Sequence, residues 1–279
     1  MTTPAPSLSP LTKEQRDYTR AALVEVSRTF ALGISLLQDP LRDEIGVAYL
    51  ICRILDTIED TAELPAAARA SLLKRCVGRI SVAEHGEAIA REIETFFADK
   101  SLAGRDHELC RHSQIVLAAY ARLALEARSA MRPAIDEMAE GMAQTVEREM
   151  AGGNAKAGAG LHLADEHDLD RYCYYVAGTV GKLLTAAFAT RRASIGGSTS
   201  VLHTLESHAV AFGLGLQITN VIKGITDDFG RRIVYVPQSF LAQANATIDE
   251  LLASPGSAKA RVVAAMLARH TLGYLDQGA

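Results

Sequence analysis

The order of apolar and polar positions along the chain follows the period of an α-helix, and the alternation typical of β-strands is almost absent. Ala, Leu, Glu, Arg and Met, which favour helices, are abundant. The pattern predicts helices at residues 12–37, 41–60, 64–80, 83–98, 106–131, 133–150, 169–192, 201–225 and 258–275. The chain is therefore predicted to be all-α.

Helix breakers and loop residues mark the connections between these helices. The dipeptide at 39–40, Asp-Pro, ends the first helix. The glycine-rich run 151–160 is predicted to be a linker, because it lacks the Gly-Lys-Ser/Thr ending and the preceding strand of a phosphate-binding loop. Residues 1–10, with three prolines, are predicted to be disordered. With no internal repeat, residues 1–279 are expected to form a single all-α domain.

The composition of the chain limits the binding partners and the cellular compartment that can be expected. The net charge of −4 and the lack of a long basic run argue against nucleic-acid binding. The four widely spaced cysteines favour reduced core thiols in a cytoplasmic protein. We find no signal-peptide pattern and no run of about 18 apolar residues, so no membrane span is expected. Peripheral contact with the inner face of a membrane stays open, because a greasy substrate would come from a bilayer.

The run Asp-Thr-Ile-Glu-Asp at 56–60 is the strongest candidate for chemistry. On a helix, Asp56, Glu59 and Asp60 share one face, because residues three and four apart are neighbours. Carboxylates this close repel one another, and a bound cation relieves the repulsion. Hard oxygen ligands suit Mg²⁺, which also coordinates substrate phosphates. The alternative is an ordinary solvated helix face.

A second polar face occurs about 170 residues later. Gln217 and Asn220 lie three residues apart, and Gly224, Asp227 and Asp228 follow near the end of the same apolar helix pattern. Two polar faces on separate helices can hold several metal ions between them. Such a site suits a diphosphate, whose charge requires more than one cation.

The segment 172–181 combines tyrosines with small residues. Ala177, Gly178 and Gly181 remove side-chain volume from one region of a predicted helix, and each glycine costs about 1 kcal/mol relative to alanine. Either another helix packs closely against this region or a cavity opens there. A cavity would accommodate a long apolar ligand.

Several motifs together resemble the squalene/phytoene synthase family. They are Ser-Arg-Thr-Phe at 27–30, Tyr-Leu-Ile-Cys-Arg at 49–53 leading into the acidic run, Tyr-Cys-Tyr at 172–174 with Val-Ala-Gly at 176–178, and Gln217 with Asn220. Their order and spacing are similar to those of the family, and the run 231–237 resembles the basic segment after its second acidic motif. The glutamate within the run 56–60 resembles the squalene synthase form, because phytoene synthases usually carry an apolar residue there.

The resemblance implies the isoprenoid synthase fold, a single helical domain around a central cavity, and assigns roles to matching positions. Those implied to be catalytic are Tyr172, Tyr49 and Arg53. Those implied to bind the substrate diphosphate are Ser27, Arg28, Arg53, Gln217 and Lys223. Those implied to bind metal are Asp56, Glu59, Asp60, Asn220, Asp227 and Asp228. Those implied to line the pocket are Phe30, Val176, Ala177, Gly178 and Gly181.

The implied reaction is the Mg²⁺-dependent head-to-head condensation of two farnesyl diphosphates through presqualene diphosphate to squalene. Hydride for the last step would come from NADPH, although the chain carries no Rossmann fingerprint. Without that step the product would be dehydrosqualene. Phytoene synthesis is a further alternative within the family.

Two departures from the family pattern point to another possibility. Lys223 is followed by Gly224, where the family usually has an aspartate, so one expected metal carboxylate is missing. The family also commonly continues for more helices beyond Tyr274. A non-catalytic relative that binds prenyl lipids is therefore an alternative. A helical scaffold with no site would leave the two polar faces unexplained.

Overall fold

The computed structural model describes residues 11–80, 82–99, 101–152, 161–191, 199–230 and 233–278. Within these ranges the all-α prediction is confirmed, and the only β structure is an isolated bridge between His162 and Val234. The helices are α1 (Lys13–Val26), α2 (Arg28–Ser35), α3 (Leu41–Asp60), α4 (Ala66–Cys76), α5 (Ala83–Phe96), α6 (Arg105–Arg111), α7 (Ser113–Arg122), α8 (Leu125–Gly152), α9 (Glu166–Cys173), a π turn (Tyr174–Gly178), α10 (Thr179–Ala189), α11 (Thr199–Gly230), α12 (Gln238–Gln243), α13 (Ile248–Ala253) and α14 (Ala258–Gly278). The residues predicted to be disordered, 1–10, and most of the predicted linker, 153–160, lie outside the described residues.

Helix α3 agrees with its predicted bounds, whereas two longer predicted helices are interrupted. The prediction of one helix over 12–37 is wrong, because Ser27 adopts an extended backbone (φ −158°) and separates α1 from α2. The predicted helix 106–131 is divided among α6, α7 and the start of α8. Pro133 lies inside α8 and does not begin a helix. Apolar periodicity alone did not reveal these breaks, since the pattern continues across them.

Helix α3 lies at the centre of the fold and contacts α1, α2, α4, α6, α7, α8 and α10. Its buried residues run almost without interruption from Asp43 to Glu59. Within that stretch Arg53 and Asp56 are the half-exposed side chains. These two charged groups lie on a side of α3 that opens onto a cavity, described below.

The small residues of the π turn and α10 allow α11 to approach closely. A Cβ atom on Gly181 would lie 2.5 Å from the carbonyl oxygen of Ala209, and one on Gly213 would lie 2.6 Å from that of Ala177. Of the two alternatives for these residues, close packing is thus present in the structure. A cavity lies beside the same contact, as described below, so the alternatives are not exclusive.

Helix α11 is long and apolar enough to cross a membrane by length and composition alone, and 33% of its most apolar window is buried. The sequence analysis predicted no such segment, because it searched for an uninterrupted apolar run. Core helices of water-soluble proteins meet the same criterion. The four cysteines, Cys52, Cys76, Cys110 and Cys173, are buried and free, as predicted.

A buried ion pair joins α4 to α8. The Arg69 side chain is 3% exposed and donates to both carboxylate oxygens of Glu149, at 3.0 and 2.9 Å. It also donates to the backbone carbonyl of Glu59 at the end of α3. Removing one partner of a buried pair leaves the other charge uncompensated. Arg69→Met is therefore expected to lower the free energy of unfolding by about 3 kcal/mol, measured by urea denaturation.

Lys74 offers a matched control, because its pair with Glu147 joins the same two helices. The Lys74 side chain is 55% exposed and that of Glu147 is 41% exposed. Exposed pairs contribute little, so Lys74→Met is expected to cost less than about 1 kcal/mol. Equal losses in the two variants would show that the burial of Arg69 does not determine its contribution.

Candidate active site

A cavity of about 520 Å³ opens among α2, α3, the π turn, α10 and α11. Its size is within the range of small-molecule binding sites. It collects predicted site residues from four separate parts of the sequence, namely Ser27, Phe30, Tyr49, Arg53, Asp56, Val176, Ala177, Gly181, Gln217 and Asn220. Tertiary packing thus gathers the predicted residues of α2, α3, the π turn, α10 and α11 around one space.

Further apolar residues complete the cavity wall, and the sequence analysis missed them. They are Val26, Cys52, Met138, Val180, Leu184, Ala209, Phe212 and Leu216. Helical spacing would have found Val180 and Leu184, because they lie three residues beyond Ala177 and Gly181 on the same face. Met138 comes from α8 and carried no local signal of a site.

One part of the cavity wall is charged. Arg53 donates to Asp56 and, at 2.8 Å, to Asp106, and the carboxylate of Asp56 is the main reason that the pKa of Arg53 is raised. Among the described residues that line the cavity, Arg53 is the one cation and Asp56 the one carboxylate. Two carboxylates thus hold a permanent cation at the cavity surface, where it can contact an anion.

Aromatic rings stand beside this charged pair. The Phe30 and Tyr49 rings stack with their centroids 4.7 Å apart and an interplanar angle of 23°. Burial raises the pKa of Tyr49, and a hydrogen bond with Ser27 opposes that shift. The break between α1 and α2 at Ser27 brings Phe30 over α3. These rings therefore offer a π-face to whatever occupies the cavity.

Helix α11 contributes two amide side chains to the same cavity. Asn220 Nδ2 donates to Gln217 Oε1 at 3.3 Å, because the two residues are three apart on one helical face. Both line the cavity together with Asp56. Their spacing alone predicted that they would share a face, and the packing of α11 directs that face to the cavity.

Two of the remaining acidic residues, Glu59 and Asp228, are more deeply buried than Asp56. Glu59 is 5% exposed, and its Oε1 atom is buried with no hydrogen-bond partner among the described residues. Burial, followed by the charges of Asp60 and Asp56, raises the pKa of Glu59 well above its usual value. Asp228, from the second polar face, is also buried. Each acidic run therefore has at least one carboxylate that is buried and does not face bulk solvent.

Tyr172, which was predicted to be catalytic, is buried and does not line the cavity. Its ring stacks on that of Tyr235, with centroids 4.3 Å apart and an interplanar angle of 21°. Burial raises the pKa of Tyr235, and the charges of Asp60, Glu59 and Asp228 add to that effect. Tyr235 thus has both acidic runs within electrostatic reach. The sequence analysis quoted it within the run 231–237 but assigned it no role.

Eight predicted site residues do not line the cavity, namely Glu59 and Tyr172, described above, and Arg28, Asp60, Gly178, Lys223, Asp227 and Asp228. The side chains of Arg28, Lys223 and Asp227 are exposed, and Gly178 packs against Tyr174 and Leu214. Asp60 and Asp228 make contacts elsewhere in the chain and are likewise not among the lining residues. Arg231 and Arg232, from the basic segment, lie outside the described residues.

Few of the described side chains at the cavity could coordinate Mg²⁺. In the described part of the chain, no three His, Cys, Asp or Glu side chains converge to hold a metal ion. Asp56, Gln217 and Asn220 nevertheless bring one carboxylate and two amides to one cavity. Mg²⁺ usually takes only one or two protein carboxylates and completes its shell with water and phosphate. These residues fit a cation that is shared with a bound diphosphate.

Gly224 lies directly beside Asp228. A Cβ atom at this position would be 3.0 Å from Asp228 Oδ2 and 3.6 Å from Oδ1. A side chain at 224 would therefore point at the Asp228 carboxylate. The departure from the family pattern removes a second carboxylate from beside this acid.

Known proteins resemble this chain in sequence and in structure. A sequence model of the squalene/phytoene synthase family matches residues 23–279. The chain is 26% identical over 235 residues to squalene synthase of Schizosaccharomyces pombe, which covers 84% of the chain and 46% of that protein. It is 29% identical over 206 residues to squalene synthase LSS of Botryococcus braunii, covering 74% of the chain and 38% of that protein. The chain spans half or less of the length of these relatives.

Solved structures show similar architecture. A structure of TcSQS in complex with the ligand E5700 superposes with a TM-score of 0.68 at 25% identity, covering 95% of this chain and 69% of that one. A dehydrosqualene synthase in complex with a ligand superposes with a TM-score of 0.61 at 16% identity, covering 95% and 76%. The second likeness concerns the fold alone.

Proposed function

Because the chain belongs to the squalene/phytoene synthase family, we propose that it condenses two farnesyl diphosphates head to head, through presqualene diphosphate, in a Mg²⁺-dependent reaction that leads to squalene. One observation carries the proposal. A single cavity joins a charged end, formed by Arg53 and Asp56, to walls that are otherwise mainly apolar and aromatic. A prenyl diphosphate has the same division between a charged head and an apolar tail.

The charged end is suited to bind and ionise the diphosphate. Arg53 is held in place by Asp56 and Asp106, so its guanidinium needs little reorganisation as negative charge develops on the leaving group. Gln217 and Asn220 provide amide groups on the α11 wall. Mg²⁺, held by Asp56 together with these amide oxygens and the diphosphate, would supply Lewis-acid stabilisation of the leaving group.

The apolar walls are suited to the prenyl chain and to the carbocation left after ionisation. Val180, Leu184 and Met138 line the cavity without offering a nucleophile. Phe30 and Tyr49 present aromatic faces that attract a cation. Excluding water from this region protects the carbocation from capture before the second prenyl chain reacts. We propose that Tyr172, which is buried one helical turn before the cavity-lining Val176, serves as the acid/base or carbocation-steering group.

The described residues do not match the usual NADPH-binding fold. A βαβ dinucleotide site requires parallel strands, and this part of the chain has only the bridge between His162 and Val234. The described residues therefore offer no recognisable dinucleotide site for NADPH. The proposal covers the condensation, and whether the product is squalene or dehydrosqualene depends on hydride supply.

Incubation with farnesyl diphosphate and Mg²⁺, with and without NADPH, tests the proposal directly. We expect diphosphate release and a thirty-carbon prenyl product, both abolished by EDTA. Product identification by mass spectrometry separates presqualene diphosphate, dehydrosqualene and squalene. A parallel reaction with geranylgeranyl diphosphate tests for phytoene. Binding of farnesyl diphosphate without any diphosphate release would overturn the proposal and select the non-catalytic relative.

A further inference from the structure

Tyr172 and Tyr235 form a closely packed pair of buried phenols. Their rings are almost parallel, and neither residue is more than 7% exposed. After burial, the neighbouring Tyr235 phenol is the largest cause that raises the pKa of Tyr172. Apolar packing alone would be served equally well by phenylalanine, which has no hydroxyl to satisfy. Apolar packing alone therefore does not explain why both buried rings carry a hydroxyl group.

The backbone around Tyr235 is anchored independently of the cavity. Val234 N donates to Leu161 O at 3.0 Å, and Gln238 N donates to Leu163 O at 2.9 Å. Ile233 N donates to Asp228 O at 2.9 Å, which ties the segment to the end of α11. These bonds fix the backbone on both the N-terminal and the C-terminal side of Tyr235. Tyr235 is thus a fixed support against which the Tyr172 ring rests.

The position of the pair connects it to both acidic runs. Glu59 and Asp60 act electrostatically on both phenols, and Asp228 acts on Tyr235. Val176, one turn after Tyr172, lines the cavity. The pair therefore lies within electrostatic reach of both acidic runs and one helical turn from a residue of the cavity wall.

We propose that Tyr235 is a positioning residue, which holds the phenol of Tyr172 in the orientation that the condensation requires through ring stacking and a hydroxyl contact. This inference rests on the proposed function. It assigns Tyr235 no direct contact with the substrate, and it predicts that its hydroxyl matters only when that of Tyr172 is present.

A double-mutant cycle with Tyr172→Phe and Tyr235→Phe tests the inference. For Tyr235→Phe we expect kcat with farnesyl diphosphate to fall about tenfold, because small misplacements of a reacting group are costly. KM should change by less than about twofold, since the cavity wall is intact. The double variant should be no slower than Tyr172→Phe alone, because the two hydroxyls act as a unit.

Tyr120→Phe is the matched control. Tyr120 is also buried, and its hydroxyl donates to Arg128 O at 3.1 Å, away from the cavity. Its loss should leave kcat unchanged while lowering stability by a similar amount. If the wild type is active and Tyr235→Phe has an unchanged kcat, the inference is overturned but the proposed function is not. The same holds if the loss of kcat in the double variant equals the product of the losses in the two single variants. A wild type that forms no prenyl product would overturn the proposed function, and the inference with it.

Discussion

Replacing Asp56 with asparagine is expected to lower turnover of farnesyl diphosphate by about a hundredfold or more, the usual loss when one charge-stabilising group is removed from an active site. Asp56 is the one carboxylate among the described residues that line the cavity. Asparagine keeps the shape of the side chain but removes the charge that pairs with Arg53 and that we propose to bind Mg²⁺. The measurement is steady-state diphosphate release at several Mg²⁺ concentrations.

Asp106 makes a sharp control for this variant. It is the second carboxylate partner of Arg53, at 2.8 Å, but it does not line the cavity. Asp106→Asn should therefore weaken the support of Arg53 and lower turnover by less than about tenfold. If both variants lost activity equally, the role of Asp56 would be to hold Arg53 and not to bind metal. Full activity in Asp56→Asn would contradict the placement of the active site in this cavity.

Introducing an aspartate at position 224 is expected to raise the affinity for Mg²⁺ by about tenfold, because it restores a carboxylate beside Asp228. The geometry places the new Cβ atom 3.0 Å from Asp228 Oδ2, so that a small movement lets the two carboxylates share one cation. Without a cation the same pair repels. Gly224→Asp should therefore unfold at a lower temperature than wild type in EDTA and regain stability when Mg²⁺ is added.

Gly224→Asn separates charge from size in this experiment. It introduces a side chain of the same shape next to Asp228 but adds no negative charge, so it should show little response to Mg²⁺. The readouts are the thermal midpoint with and without Mg²⁺ and the Mg²⁺ concentration that gives half-maximal turnover. Unchanged metal dependence in Gly224→Asp would count against the assignment of Asp228 to a metal site.

The sequence by itself determined the fold class and part of the cavity lining. Helix α3 has its predicted bounds, because its apolar period is strong and Pro40 and the polar residues after Asp60 terminate it. The spacing of Gln217 and Asn220 correctly indicated a shared face, and the motifs that carried the family resemblance supplied most of the polar lining. Residues three and four apart on a helix are neighbours in any tertiary context, so the sequence alone is sufficient to predict a shared helical face.

Only the tertiary structure decided which member of each face reaches the cavity. Asp56 and Glu59 lie three residues apart, about 60° around the helix axis, yet Asp56 lines the cavity and Glu59 is buried beneath it. Likewise, Asn220 lines the cavity, while Lys223 and Asp227 on the same helix are exposed. Tyr235 joined the site through a pairing with Tyr172, 63 positions away in the sequence. Helical periodicity specifies neighbours within one helix, whereas the rotation of each helix about its axis is set by the packing of all the others.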